Sequence, residues 1–283
     1  MPQNEFIFKH FIVKQDKTSM KVGTDAMLLG AWTAESAKSE RAESDEREKS
    51  YRAESNESAE CDRAKSEGKT DKIEIGNILD IGTGTGVLAL MLAQSIKADI
   101  DAIDIEGDSF IQAKENFENS AWKNRIKVFH TSLQDYQTDS VKKYDLIISN
   151  PPYFEHNIKA IKESTKYRER SHARSVDTLS FENLLIHSKR LLKDDGSLYM
   201  IVPSESTPDF LSLAEIKGIY LFDRLDIKSK QDQLPVRCIL GFSKSKKDFK
   251  TSELVIYNQD KTYTEDYIRL TENYYAKNMS RPR

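Results

Sequence analysis

The chain has 283 residues and a formal net charge of −3, from 43 Lys and Arg against 46 Asp and Glu. Two cysteines, Cys61 and Cys238, are too few for a disulfide framework or a cysteine-based zinc site, which suits a reducing compartment; no metal site is expected. Residues 1–10 include Glu5 and Lys9 and show no secretory pattern, and the longest apolar stretch, 86–93, is far short of the ~18–20 residues needed to cross a bilayer, so a cytoplasmic protein without membrane association is expected.

In chain order, Phe6-Ile7-Phe8-Lys9-His10-Phe11-Ile12-Val13 is aromatic and β-branched with one break in its alternation, which predicts a strand or short hairpin. A helix is predicted over 24–32. Residues 34–72 then contain no Val, Ile, Leu, Met, Phe or Trp across 39 positions, and carry 9 basic and 12 acidic side chains; the other 244 residues hold 34 of each sign. Without large aliphatic groups such a segment cannot offset the entropy of ordering it, so it reads as a solvated insertion, disordered or fluctuating as a charged helix. Arg41-Ala42-Glu43-Ser44, Arg52-Ala53-Glu54-Ser55 and Arg63-Ala64-Lys65-Ser66 recur at 11-residue spacing within it. The expected organisation is an N-terminal block 1–33, the insertion 34–72 and a core 73–283.

From residue 77 the pattern alternates. Short β-type runs at 78–81, 100–105, 126–130, 145–149 and 197–202 are interleaved with helical stretches at 87–94, 110–119 and 181–192, the last capped by Ser180 and stopped by Gly196. That rhythm predicts an α/β fold with a parallel sheet. After Pro208, strands at 221–227 and 237–242 lie too close for a crossover helix and should form an antiparallel hairpin. A strand at 253–257 and a helix at 264–275 follow.

Three motifs carry chemistry. Ile78-Leu79-Asp80-Ile81-Gly82-Thr83-Gly84-Thr85-Gly86 delivers a strand to a glycine turn before a helix. Its Gly-x-Gly-x-Gly spacing, with Asp80 just before it, suits a cofactor bearing a cationic amino-acid end better than a pyrophosphate. Asp104, 18 residues after Gly86, stands where such folds place a carboxylate for ribose hydroxyls, with Glu106 as an alternative. Third, Ser149-Asn150-Pro151-Pro152-Tyr153-Phe154 ends a strand with two residues that lack backbone donors. The Asn150 side-chain oxygen and the Pro151 carbonyl can each accept a hydrogen bond from one amino group, beside an aromatic face from Tyr153 or Phe154. Holding both hydrogens of an exocyclic amine turns its lone pair toward an electrophile, so geometry replaces a strong base.

In this order and spacing the motifs resemble the class I S-adenosylmethionine-dependent methyltransferases, and Asn150-Pro151-Pro152-Tyr153 resembles those that act on planar nitrogens. Met20-Lys21-Val22-Gly23-Thr24-Asp25-Ala26-Met27-Leu28-Leu29-Gly30-Ala31-Trp32, with Phe6-x-Phe8-Lys9-x-Phe11, Ala173-Arg174, Leu234-Pro235-x-Arg237 and Tyr263-Thr264-Glu265-x-Tyr267, is similar to the bacterial tRNA1(Val) (adenine-N6)-methyltransferases. The resemblance implies a Rossmann-like, mostly parallel seven-stranded sheet with an antiparallel C-terminal hairpin and an N-terminal β extension. It implies S-adenosylmethionine as cofactor and tRNA1(Val) as partner, methylated at N6 of adenine 37; no stable protein partner is evident. Carried onto this chain, it places Asp80, Gly82, Gly84, Gly86 and Asp104 around the cofactor, with Lys21, Gly23 and Thr24 closing over it, and Asn150, Pro151, Pro152 and Tyr153 on the target adenine. Where many class I enzymes carry an acid for the cofactor's adenine, this chain has Ser132, with Asp135 nearby. The same tetrapeptide also serves enzymes acting on release-factor glutamine, ribosomal RNA or DNA adenine; the N-terminal block favours tRNA. A neutral body must bind RNA through local clusters, and Lys159, Lys162, Lys166, Arg168, Arg170 and Arg174 follow the turn closely enough to meet phosphate beside the pocket.

Overall fold

The structure is a computed structural model and describes residues 4–57, 75–136, 142–151 and 180–276, without the side chains of 41 and 43–57. A two-stranded antiparallel hairpin, β1 (Glu5–Ile7) and β2 (Ile12–Lys14), precedes helix α1 (Thr24–Glu57). The body follows as β3 (Asn77–Ile81), α2 (Val87–Ser95), β4 (Asp99–Asp104), α3 (Gly107–Glu118), β5 (Ile126–His130) and β6 (Tyr144–Ser149). Helix α4 (Phe181–Leu191), β7 (Leu192–Pro203), α5 (Thr207–Ile216), β8 (Tyr220–Lys228), β9 (Arg237–Ser243), β10 (Lys250–Val255) and α6 (Glu265–Thr271) complete it. None of the described helices is long and apolar enough to cross a membrane.

The sheet order is β10-β8-β9-β7-β6-β3-β4-β5; β9 alone runs antiparallel to its neighbours. The expected seven-stranded arrangement is present, with β10 added at one edge as an eighth strand. Both faces are covered, and side chains alternate between them with period two. On β7, Tyr199 and Ile201 enter the core under α1 and α2, while Leu198, Met200 and Val202 enter the core under α4 and α5. Helix α2 is apolar all round because it is enclosed: Val87 through Ala93 are all buried.

Two expectations need correction. Helix α1 does not stop at residue 32. It runs through Glu57, and Ala34 and Ala37 lie in the core because a helix laid flat on a sheet needs only small side chains where it approaches most closely. Gly196 does not stop α4, which already ends at Leu191; it lies inside β7, where a Cβ would fall 2.8 Å from the Tyr144 carbonyl oxygen. Helix α5 is an element for which the sequence pattern gives no expectation, although Pro208 in its first turn and Phe210 and Ala214 on its buried face are ordinary helix signals. The N-cap role of Ser180 is observed: its hydroxyl accepts the Asn183 amide at 3.1 Å.

The N-terminal hairpin is fastened to the body through Asn116 of α3, which is 2% exposed. Its Nδ2 donates to the carbonyls of Lys14 and Thr85, both at 2.8 Å, and its Oδ1 accepts the Lys14 amide at 2.9 Å. Replacement by alanine orphans three backbone groups, so Asn116→Ala should lower unfolding free energy by about 2–4 kcal/mol in denaturant titration; a change below about 1 kcal/mol would show that water replaces the amide.

Candidate functional site

Strand β3 is where strand order reverses, with β4 and β5 to one side and β6 onward to the other. In open α/β sheets ligands bind outside the carboxyl ends of the strands at such a point. Ile81, the last residue of β3, is level with Ile103 of β4 and Ser149 of β6, so the residues just beyond these strands converge: Gly82–Gly86, Asp104 and Glu106, and Asn150 with Pro151.

The glycine turn has a definite division of labour. Gly82, Gly84 and Gly86 have φ of 69°, 55° and 82°, in the left-handed region. A Cβ at Gly82 or Gly84 would meet nothing within 4 Å, whereas at Gly86 it would fall 2.4 Å from the Phe117 ring of α3. The first two glycines therefore leave backbone open to a ligand, and the third lets α3 pack. The Gly82 and Thr83 amides donate to the Ile103 carbonyl at 2.9 and 3.0 Å.

Two buried carboxylates hold this turn. Asp80 is fully buried; Thr83 Oγ1 donates to its Oδ2 at 2.6 Å, while its Oδ1 has no hydrogen-bond partner. Burial pushes its pKa up to about 7, against the Thr83 hydroxyl and the Ala89 amide, which favour the ionised form without satisfying Oδ1 in hydrogen-bond geometry. Asp104 accepts the Gly84 amide on Oδ2 at 2.7 Å and the Glu106 amide on Oδ1 at 2.9 Å; burial raises its pKa as well. Each oxygen keeps a second lone pair for a hydroxyl. Glu106, the alternative, is exposed at the start of α3. An unpartnered buried oxygen and two open glycines fit a nucleoside cofactor with a cationic amino-acid end, and Asp80, Gly82, Gly84 and Asp104 are the residues that would hold it.

Beyond β5, Ser132 Oγ donates to Asp135 Oδ2 at 2.6 Å and accepts the Asp135 amide at 3.1 Å. The offset acid and the serine thus form one local unit. Lys21, Gly23 and Thr24 are exposed at the start of α1, and the next residue, Asp25, pairs with Arg237 Nε at 3.1 Å, tying this stretch to the start of β9. Asn150 is half-buried and Pro151 buried at the end of β6, where Ser149 Oγ donates to the Ile81 carbonyl at 2.9 Å and locks the two rims together. Pro152, Tyr153, Phe154 and the cations Lys159, Lys162, Lys166, Arg168, Arg170 and Arg174 lie outside the described residues. Sequence reasoning missed Asn116 and the Asp25–Arg237 pair; a polar residue interrupting the apolar stripe of α3 was a usable signal for the first, and no local signal marks a pair 212 positions apart.

A family model described as "methyltransferase small domain" matches residues 68–216. A tRNA1(Val) (adenine(37)-N6)-methyltransferase from Trichodesmium erythraeum is 38% identical over 280 residues, covering 98% of this chain and 100% of the relative. Proteins of the same description from Bacteroides fragilis and Shigella sonnei are 36% and 33% identical, over 98% and 96% of this chain and 100% and 95% of their own lengths. Among solved structures, a protein from Agrobacterium tumefaciens described as a predicted O-methyltransferase superposes with a TM-score of 0.55 at 15% identity, covering 74% of this chain and 94% of that one; this likeness is one of fold.

Asp80 makes a prediction about pH. Its folded pKa, about 7, lies above the ordinary 3.8, so between those values the folded state keeps a proton that the unfolded chain has lost, and stability falls as pH rises from 4 to 7. Asp80→Asn should therefore stabilise the ligand-free protein at pH 8, by at most about 4 kcal/mol, with the gain fading toward pH 4. The same substitution should weaken cofactor binding at pH 8. Calorimetric melts and titrations at both pH values check this; a variant less stable than wild type at pH 8 contradicts it.

Proposed function

The chain belongs to the tRNA1(Val) (adenine(37)-N6)-methyltransferase family, and we propose that it transfers a methyl group from S-adenosylmethionine to N6 of adenine 37 in tRNA1(Val). What supports the reading is near-full-length identity to the relatives combined with Asn150 and Pro151 at the carboxyl end of β6, beside the glycine turn. When bound, the cofactor supplies an electrophilic methyl group on a sulfonium.

The protein's part is orientation. Asp80 offers an unsatisfied carboxylate oxygen to the cationic end of the cofactor, and Asp104 offers lone pairs to its ribose. Asn150 Oδ1 and the Pro151 carbonyl are assigned to the two hydrogens of the adenine amine, Tyr153 to the face of its ring, and Pro152 to rigidity of the turn. Fixing both N–H bonds removes the amine lone pair from conjugation and aims it along the line of transfer. The product nitrogen is acidic enough to lose its proton to water, so no base of tuned pKa is needed. Ser132 and Asp135 are assigned to the cofactor's adenine, Lys21, Gly23 and Thr24 to its cover, and the cations from Lys159 to Arg174 to phosphate.

Two measurements test this. Nucleoside mass spectrometry of purified valine tRNA should show N6-methyladenosine only when the protein is present; no difference would refute the tRNA assignment. Asn150→Ala should reduce single-turnover methylation by about 10²-fold or more while leaving cofactor affinity within about threefold; retention of most of the rate would refute the proposed grip on the amine.

A further inference from the structure

The loop 229–236 between β8 and β9 carries an apolar tip on the same rim as the proposed catalytic turn. Leu234 is 85% exposed and Val236 41% exposed. One exposed leucine is ordinary on a soluble protein, but here the backbone beneath it is held firmly. Gln233 N donates to Lys230 O at 3.0 Å and Val236 N to Ile227 O at 2.8 Å, while Val236 O accepts Ser204 N at 3.4 Å and Arg237 Nη1 at 2.9 Å. Arg237 is in turn bonded to Asp25, in the first turn of α1. The tip is thus a fixed apolar projection.

Strand register places it. Arg237 pairs with Pro203 on β7, and Met200 of β7 pairs with Ser149 on β6, so Arg237 stands two residues further along than Asn150 and two strands across. At ordinary strand spacings that is a Cα separation of about 12 Å, and Leu234 projects from just above it. A base delivered to Asn150 would bring its neighbours along the RNA strand across this tip. Taking an adenine out of a stacked loop exposes the faces of the bases beside it, and apolar side chains such as leucine and proline fill gaps of that kind. Lys230, which forms no ion pair among the described residues, stands on the same loop for a phosphate.

We propose that Leu234, backed by Pro235 and Val236, is an apolar wedge that packs against a base adjoining the target adenine, in the gap left when that adenine enters the pocket. The proposal rests on the tRNA reading above. Its test is steady-state methylation of a tRNA1(Val) transcript by the full-length protein, comparing wild type, Leu234→Ala and Leu234→Phe. The alanine variant should lose about tenfold in kcat/KM for tRNA, chiefly through KM, and phenylalanine should stay within about twofold of wild type, because an aromatic ring stacks at least as well. Cofactor Kd by calorimetry and Tm should be the same for all three, since Leu234 is almost wholly in solvent. A loss below about fivefold for Leu234→Ala, a loss that phenylalanine fails to recover, or a parallel loss of cofactor affinity overturns the wedge while leaving the tRNA assignment intact. A wild-type protein that leaves the transcript unmethylated overturns both.

Discussion

Between β3 and α2 the chain makes a left-handed turn whose first two amides bond the Ile103 carbonyl of β4, and side chains from three elements set the rest of it. Asp80 receives the Thr83 hydroxyl, Asp104 receives the Gly84 amide, and Asn116 donates to the Thr85 carbonyl. Two of these groups are carboxyls placed where burial raises both pKa values, and the charge on Asp104 further raises that of Asp80. A cation bound at the turn relieves this arrangement, because an opposite charge restores the ionised form that desolvation disfavours. The turn is therefore less stable empty than its hydrogen bonds suggest, and its electrostatics select the sign of the ligand's nearest group.

Placing the N-terminal block at this rim falls to α1, and polar contacts do it. Asp25 bonds Arg237 at the carboxyl end of the sheet; Trp32 Nε1 and Ser36 Oγ each donate to Asp223 Oδ2 at 3.0 Å; Glu40 accepts Tyr199 Oη at 3.1 Å and pairs with Lys247 at 2.7 Å near the amino end. Apolar packing alone would let the helix slide by a turn along an aliphatic face, and these contacts fix its register. A cavity of about 680 Å³ opens beside the Asp223 and Glu40 end, lined by Trp32, Tyr199, Phe222 and Lys247 among others. It lies away from the carboxyl rim, and its central polar groups are committed to one another, so it is read as a by-product of how α1 is seated.

What was legible in the sequence is whatever local pattern determines. The strands at 78–81 and 126–130 stand out as short β-type runs, and the glycine turn carries its own spacing. What was not legible depended on distant partners. The absence of Val, Ile, Leu, Met, Phe and Trp across 34–72 reads as a segment unable to make its own core, yet Ala34 and Ala37 are buried because the elements they pack against provide the apolar surface. Gly196 reads as a helix stop, but its smallness serves the approach of β7 to the Tyr144 carbonyl across a register shift that no one-dimensional pattern shows. The paired use of Asp104 follows the same rule: spacing marks it as a carboxylate suited to a ribose, and only the fold reveals that its two oxygens accept the amides of Gly84 in the turn and of Glu106 just before α3.

The acidic groups at the end of β4, Asp104 and Glu106, constrain how a polyanion can approach. Outside residues 34–72 the chain has equal numbers of acidic and basic side chains, so no general field draws RNA in, and among the described residues of the site Asp104 and the exposed Glu106 are acidic. Like charges within a screening length of roughly 8 Å would repel a phosphate brought as deep as the cofactor. An uncharged base can enter where its phosphate cannot. The acceptors proposed for it, a side-chain amide oxygen and a proline carbonyl, are likewise neutral, so the incoming amine meets no ion that would hold it in place through charge alone. Selection then falls on shape and hydrogen-bond geometry at the end of β6, and backbone affinity must come from the rim, where cations and apolar side chains can engage the loop without entering the pocket.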